Sequence, residues 1–257
     1  MILLRRGTGT AGFEVFLLRR RKGASFMASA YVFPGGGAEA SEDARTCAAR
    51  ELFEEAGVLL AQDAGGESET LAEGALFSIS ALRKKVLGGM DATAVLAAAG
   101  LGWWTDVLVP WSQWITPSIE PKRFSARFFV TELPSGQEPM FDATETVDQV
   151  WVTPAQAIER AGELALPPPQ IRTCWELAGL HSIHDVMAAA RMRAQEPHPI
   201  MPRLAPTPAG ACLLLPWDPD YTTTGTGEGT PLTYTPSWAH GPSRFVREGN
   251  AWKHTEG

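Results

Sequence analysis

Short apolar runs and glycine turns open the chain. Ile2–Arg6 and Phe13–Arg20 read as two strands, because β-branched and aromatic residues dominate Phe13-Glu14-Val15-Phe16-Leu17-Leu18. Gly7-Thr8-Gly9-Thr10-Ala11-Gly12 between them supplies a turn. Phe33-Pro34-Gly35-Gly36-Gly37 cannot be the interior of a regular element. A helix is expected to begin near Ser41 as N-cap, with Glu42 and Asp43 in its first turn, to run through 44–56 and to stop at Gly57. Residues 62–70 form a polar loop, and 71–87 and 92–99 read as helices broken by Gly88-Gly89. After a Trp-rich connection, strand character returns at 124–131 and 146–152. Thr153-Pro154-Ala155-Gln156 is a capping box with proline in the first turn, Pro167-Pro168-Pro169 opens a helix to about residue 180, and Ser182 starts another. From about Gln195 proline, glycine and threonine dominate; 222–229 reads as a loop and 244–252 as a hairpin.

This texture divides the chain into 1–195, with a helical insertion at about 71–104, and a C-terminal extension, 196–257. A hydrophobic fraction of 44% permits a sizeable core. Lys and Arg number 22 against 29 Asp and Glu, a net charge of -7, which argues against a protein held to nucleic acid mainly by its charge. Cys47, Cys174 and Cys212 form no CxxC pair, so a disulfide framework or Cys-rich zinc site is not expected. No apolar run approaches the ~18 residues of a membrane span, and Ile2-Leu3-Leu4 is too short for a signal peptide. A soluble, cytoplasmic protein is therefore expected.

The chemistry concentrates between Gly36 and Val58. Five residues separate Gly36 from Glu42, seven separate Glu42 from Arg50, and Arg50-Glu51-Leu52-Phe53-Glu54-Glu55-Ala56-Gly57-Val58 follows. On a helix Glu51 lies i,i+3 from Glu54 and i,i+4 from Glu55, so three like charges share one face. A hard divalent cation resolves that repulsion, since Mg²⁺ and Mn²⁺ prefer oxygen ligands. Arg50, i,i+4 from Glu54, can hold that side chain in one rotamer, and Glu42 can tie the loop to the helix. Gly36 and its neighbours let the backbone pass close to the helix. A solvated helix face of ordinary Glu/Arg pairs would explain the run 50–55 alone. The whole spaced pattern arises by accident in roughly one chain in 10⁷, which rejects that explanation.

This pattern resembles a complete Nudix box. The resemblance implies an α/β/α sandwich around a mixed sheet, and Mg²⁺- or Mn²⁺-dependent hydrolysis of a nucleoside diphosphate linked to another moiety. It implies Glu51, Glu54 and Glu55 as metal ligands with Arg50 orienting them, Glu42 and Gly57 as structural box positions, and Glu51 or a glutamate outside the box as general base. Glu145, just before the strand at 146, is the candidate outside. The stretches 26–36, 114–117, 123–129 and 166–170 are similar to the peroxisomal-type coenzyme A diphosphatase subfamily, which implies CoA or acyl-CoA as substrate. Two features depart from that subfamily: Ser25 and Ser29 stand where a CoA signature has Arg and Gly, and Thr255-Glu256-Gly257 is not a peroxisomal address. ADP-ribose- or NADH-type substrates, or a sensor on the same fold that binds without turnover, are the alternatives.

Gly35, Gly36, Arg19, Arg123 and Arg127 are the candidates for binding the substrate's phosphates, Arg19 within the dense basic run Arg19-Arg20-Arg21-Lys22 and Arg123 and Arg127 by alternation along one strand face. Trp103, Trp104, Trp111 and Trp114 suit a core or a homodimer interface better than an adenine platform. Gly7–Gly12 matches G-x-G-x-x-G, but a strand follows rather than the helix a pyrophosphate site needs. His181 and His184 lack a third ligand and read as surface or capping residues.

Overall fold

The computed structural model of the chain describes residues 1–7, 12–23, 27–40, 42–63, 73–120, 122–207, 210–249 and 251–257. In chain order its elements are β1 (Ile2–Arg6), β2 (Phe13–Arg20), β3 (Tyr31–Val32), α1 (Ala44–Ala56), β4 (Ala61–Asp63), α2 (Glu73–Leu87), α3 (Ala92–Ala97) and β5 (Leu101–Trp103). A short 3-10 turn, Thr105–Val107, leads to β6 (Val109–Ile115), β7 (Ser125–Glu132), β8 (Thr146–Val152), α4 (Pro154–Glu159), α5 (Pro168–Ala178) and α6 (Ile183–Arg193). The chain finishes with β9 (Pro199–Ile200), β10 (Arg203–Thr207), β11 (Gly210–Leu214), β12 (Arg244–Glu248) and β13 (Ala251–Thr255). No helix among the described residues is long and apolar enough to cross a membrane.

Two compact units emerge. The first comprises Met1–Arg6, Glu14–Leu108 and Phe129–Trp151. Its strands run in the order β3-β2-β1-β7, with β8 also on β2. β1 and β7 are parallel, Leu3 opposite Thr131, whereas β2 and β3 are antiparallel, so the sheet is mixed. Phe16 and Leu18, on one face of β2, pack with Ala48, Ala49, Leu52 and Ala56 of α1. The other apolar side of α1 presents Phe53 to Ile79, Leu82 and Val86 of α2 and to Val95 and Leu96 of α3. Leu52 and Phe53 are both fully buried. At about 2 kcal/mol for each such side chain, α1 is fixed from two directions before any polar contact is counted.

The second unit comprises Gly7–Phe13, Val109–Phe128 and Val152–Gly257. In it β6 and β9 pair in parallel, and β10-β11-β12-β13 form an antiparallel sheet. α5 and α6 supply an unusual core. The Arg172 guanidinium lies 4.5 Å from the Trp175 ring and 4.7 Å from that of Trp217. Arg193 lies 4.5 Å from Trp111 and 4.8 Å from Trp238. Glu176 joins them, 2.8 Å from each guanidinium, and accepts a hydrogen bond from Trp111 Nε1 at 3.0 Å. Stacked faces and a shared counter-ion together offset the cost of burying two cations. Trp111 and Trp114 are buried here, as core residues.

Several sequence expectations are corrected. The N-cap of α1 is Asp43, whose carboxylate accepts the Arg45 and Thr46 backbone N–H groups at 2.8 and 3.1 Å. Glu42 therefore precedes the helix instead of entering its first turn. Ser41, residues 8–11 of the expected turn and residues 64–70 of the expected 62–70 loop lie outside the described residues; Gln62 and Asp63, expected in that loop, belong to β4 instead, paired with β5. The Trp-rich connection holds two strands, β5 and β6, and the proline-rich segment after 195 holds β9, β10 and β11. Pro206 is tolerated because β10 is an edge strand. Arg123 precedes β7, so it does not share a strand face with Arg127. The capping box at Thr153, the Ser182 N-cap and the hairpin of β12 and β13 are present. Gly12 leads into strand β2, which leaves no helix N-terminus for a pyrophosphate.

Candidate active site

α1 turns Arg50, Glu51, Glu54 and Glu55 away from its apolar stripe, and the Pro34–Gly37 loop runs beside them. Gly35 adopts φ +150° and donates its N–H to Glu55 Oε2 at 2.8 Å. Gly36 must lack a side chain: a Cβ there would lie 2.5 Å from both carboxylate oxygens of Glu51. Gly36→Ala is thus expected to displace Glu51 and lower turnover about tenfold or more, at little cost in Tm. Normal turnover in that variant would show that Glu51 can move without consequence.

Arg50 organises the loop and the helix together. Its Nε and Nη2 form a fork on Glu42, 2.9 and 3.0 Å from Oε1 and Oε2. Nη2 also donates to the Gly37 carbonyl at 2.9 Å, and Nη1 lies 3.1 Å from both Glu54 Oε2 and Glu51 Oε1. The hydrogen bonds to Glu42 raise the Arg50 pKa, against burial. Burial works to raise the Glu42 carboxyl, but the Arg50 guanidinium outweighs it and holds the group below the usual range.

The remaining carboxylates behave oppositely. Burial pushes Glu51 up to about 6, against Arg50 and helped by the charges of Glu54 and Glu145. Burial pushes Glu55 up to about 7, against the Gly35 N–H and helped by Glu51. Glu54 is also raised, by burial, although Arg50 counteracts it. One arginine therefore does not neutralise the three. Among the described residues no three acidic, His or Cys side chains are gathered into a metal cluster. Arg50 occupies an oxygen each of Glu51 and Glu54, and Gly35 one of Glu55. The donor set still suits Mg²⁺ or Mn²⁺: hard oxygens, under-neutralised, beside a glycine that leaves room for close approach.

Glu145 is exposed on the turn before β8, and its carbonyl accepts the Arg21 N–H at 3.1 Å. That turn is built by Asp142, which no sequence signal singled out. Its carboxylate accepts hydrogen bonds from Thr144 and Thr146 hydroxyls at 2.5 Å and from the backbone N–H groups of Glu145 and Thr146. Burial opposes ionisation, but those bonds win and hold Asp142 near about 2.

Two more arginines bear on the site: Arg20, expected only as part of a basic run, and Arg83, which no sequence signal marked. Arg20 continues the Phe16–Leu18 face of β2 toward α1; its Nε is buried without a partner among the described residues, and its charge favours ionised Glu55. Arg83 of α2 donates through Nε and Nη2 to the Glu54 carbonyl, at 3.1 and 2.7 Å. Of the basic residues expected from sequence, Arg19 lies with its guanidinium 5.9 Å from the Tyr31 ring in the first unit. Arg123 and Arg127 belong to the second unit. There Arg123 meets Glu228 at 3.3 Å, and Arg127 is exposed on β7.

The family model described as NUDT19 Nudix domain matches residues 42–177, and the general NUDIX domain model matches residues 1–74. The chain belongs to the Nudix hydrolase family. The α/β sandwich with a mixed sheet, an insertion after the box helix and a C-terminal extension is the fold expected of it. A Nudix hydrolase from Alicyclobacillus acidocaldarius is similar in structure, with a TM-score of 0.62 at 26% identity over 73% of this chain and 92% of that one. A Caenorhabditis elegans protein named for the Nudix hydrolases is 30% identical over 67% of this chain. The human acyl-coenzyme A diphosphatase NUDT19 is 32% identical over 69% of this chain. This Nudix hydrolase chain spans 57% of the worm relative's length and 50% of the human one's.

Proposed function

We propose that the chain hydrolyses the diphosphate bond of a nucleoside diphosphate linked to another moiety. The proposed substrate is CoA or acyl-CoA, giving adenosine 3′,5′-bisphosphate and (acyl-)phosphopantetheine. The observation that carries the chemistry is the face of α1: Glu51, Glu54 and Glu55 held under-neutralised beside Gly36, with Arg50 locked by Glu42. The similarity to a relative named for acyl-CoA diphosphate cleavage supports the substrate.

Glu51, Glu54 and Glu55 would hold Mg²⁺ or Mn²⁺. Bound there, the cation supplies charge neutralisation of the diphosphate and a more acidic water. Arg50 orients Glu51 and Glu54, and the glycines at 35 and 36 let the diphosphate approach the helix. Glu51 or Glu145 takes the proton from the attacking water; the turn held by Asp142 presents Glu145 for that task. Arg19 is assigned to the substrate's phosphates. The catalytic machinery is assigned to 1–195, with 196–257 as an extension, in a cytoplasmic enzyme that binds neither membrane nor nucleic acid.

The test is a mass-resolved hydrolysis screen with Mg²⁺ and with Mn²⁺. It compares CoA and acetyl-CoA with dephospho-CoA, ADP-ribose, NADH and capped RNA. Fast release of adenosine 3′,5′-bisphosphate, with dephospho-CoA much poorer, is expected. Preference for ADP-ribose or NADH would keep the chemistry and discard the substrate. Silence on every substrate by metal-loaded protein would overturn the hydrolase reading in favour of a sensor.

A further inference from the structure

We propose that Arg83, carried by the helix inserted after the box, is a positioning residue for the box carboxylates. The inference rests on the metal site proposed above. α1 ends at Ala56, and Gly57 closes it in the left-handed conformation at φ +68°, its N–H donating to Phe53 O at 2.9 Å. The last carbonyls of a helix lack intrahelical donors. Arg83 meets one of them, Glu54 O, through two N–H groups at 3.1 and 2.7 Å. Its positive charge also stands at the negative end of the α1 dipole.

Two independent features mark this contact as built. A Cβ on Gly57 would lie 2.7 Å from Arg83 Nη1, so the guanidinium packs against the bare glycine and would have to shift for any side chain there. Arg83 is half-buried, so its guanidinium is held against α1 and is not a free surface group. Leu82 and Val86 of the same helix lie in the apolar cluster that holds Phe53 of α1. The insertion thus holds the backbone of Glu54, and through it the direction in which Glu54 and Glu55 project.

Arg83→Lys keeps the charge but loses the fork, and Arg83→Gln loses the charge as well. Mn²⁺ binding is measured directly by electron paramagnetic resonance, without substrate, beside the Mg²⁺ dependence of turnover. Both variants are expected to bind Mn²⁺ at least fivefold more weakly and to need correspondingly more Mg²⁺. KM for substrate at saturating metal should change less than twofold. Val86→Ala, which removes packing from the same helix, is expected to lower Tm and leave Mn²⁺ affinity unchanged. Parental Mn²⁺ affinity in both Arg83 variants, or an equal loss in Val86→Ala, would overturn the positioning role. If the parent chain itself binds no Mn²⁺, the metal reading fails first and takes this inference with it.

Discussion

Glu54→Gln is expected to lower turnover at least about a hundredfold while far-UV circular dichroism and Tm stay close to the parent's. A hundredfold corresponds to about 2.7 kcal/mol of transition-state stabilisation. The substitution keeps the side chain's shape and removes one anionic donor from the proposed metal set. The fold should tolerate it because Glu54 is the most open of the three, its side chain 28% exposed, and because Arg50 retains Glu42, Glu51 and Gly37. Steady-state kinetics over a range of Mg²⁺ concentrations checks it. Near-normal turnover would remove Glu54 from the metal set.

The second large effect concerns stability without metal. In EDTA at pH 8, Glu55→Gln should melt higher than the parent, the reverse of what loss of a useful interaction would do. Glu55 is raised from 4.5 to about 7, chiefly by burial. A carboxyl whose folded pKa is raised binds its proton more tightly when folded, so its penalty is absent below 4.5. The penalty grows as pH rises through the window and is complete above 7. At about 1.4 kcal/mol for each pKa unit, roughly 3–4 kcal/mol is at stake. The variant's advantage should shrink as pH falls toward 4.5, and saturating Mn²⁺ should reverse the order. Half-buried His254, lowered to about 3 mainly by burial of its ring, destabilises both proteins alike as pH falls below 6.5 and cancels in the comparison. Thermal melts of the pair at pH 5 and pH 8, with EDTA or Mn²⁺, decide the matter. A lower Tm for Glu55→Gln in EDTA at pH 8 would refute the buried-charge account.

What could be read from sequence was what lies close along the chain. The spacing of Arg50 and Glu54 makes them helix neighbours, and Glu42 was expected to tie the loop to the helix; both contacts are present. The requirement for a bare backbone at Gly36 followed from crowding beside carboxylates. Arg83 and Asp142 were invisible, and Arg20 was legible only as one of a basic run, because their meaning depends on tertiary proximity. Arg83 reaches a carbonyl 29 residues away, and nothing in the stretch around it suggests a cap for another helix. Ser41 and Asp43 are both good caps two residues apart, and local propensity does not choose between them. β6 and β10 were hidden by proline and tryptophan, which blur a period-two pattern that neighbouring strands nonetheless complete.

The guanidinium–indole stack around Glu176 has an optical consequence. Of the nine tryptophans, Trp111, Trp114, Trp175, Trp217, Trp238 and Trp252 belong to the second unit. Four of them lie against Arg172 or Arg193. Intrinsic emission is therefore weighted toward the unit that does not contain α1. The same signal would be a sensitive gauge of whether the second unit is still folded.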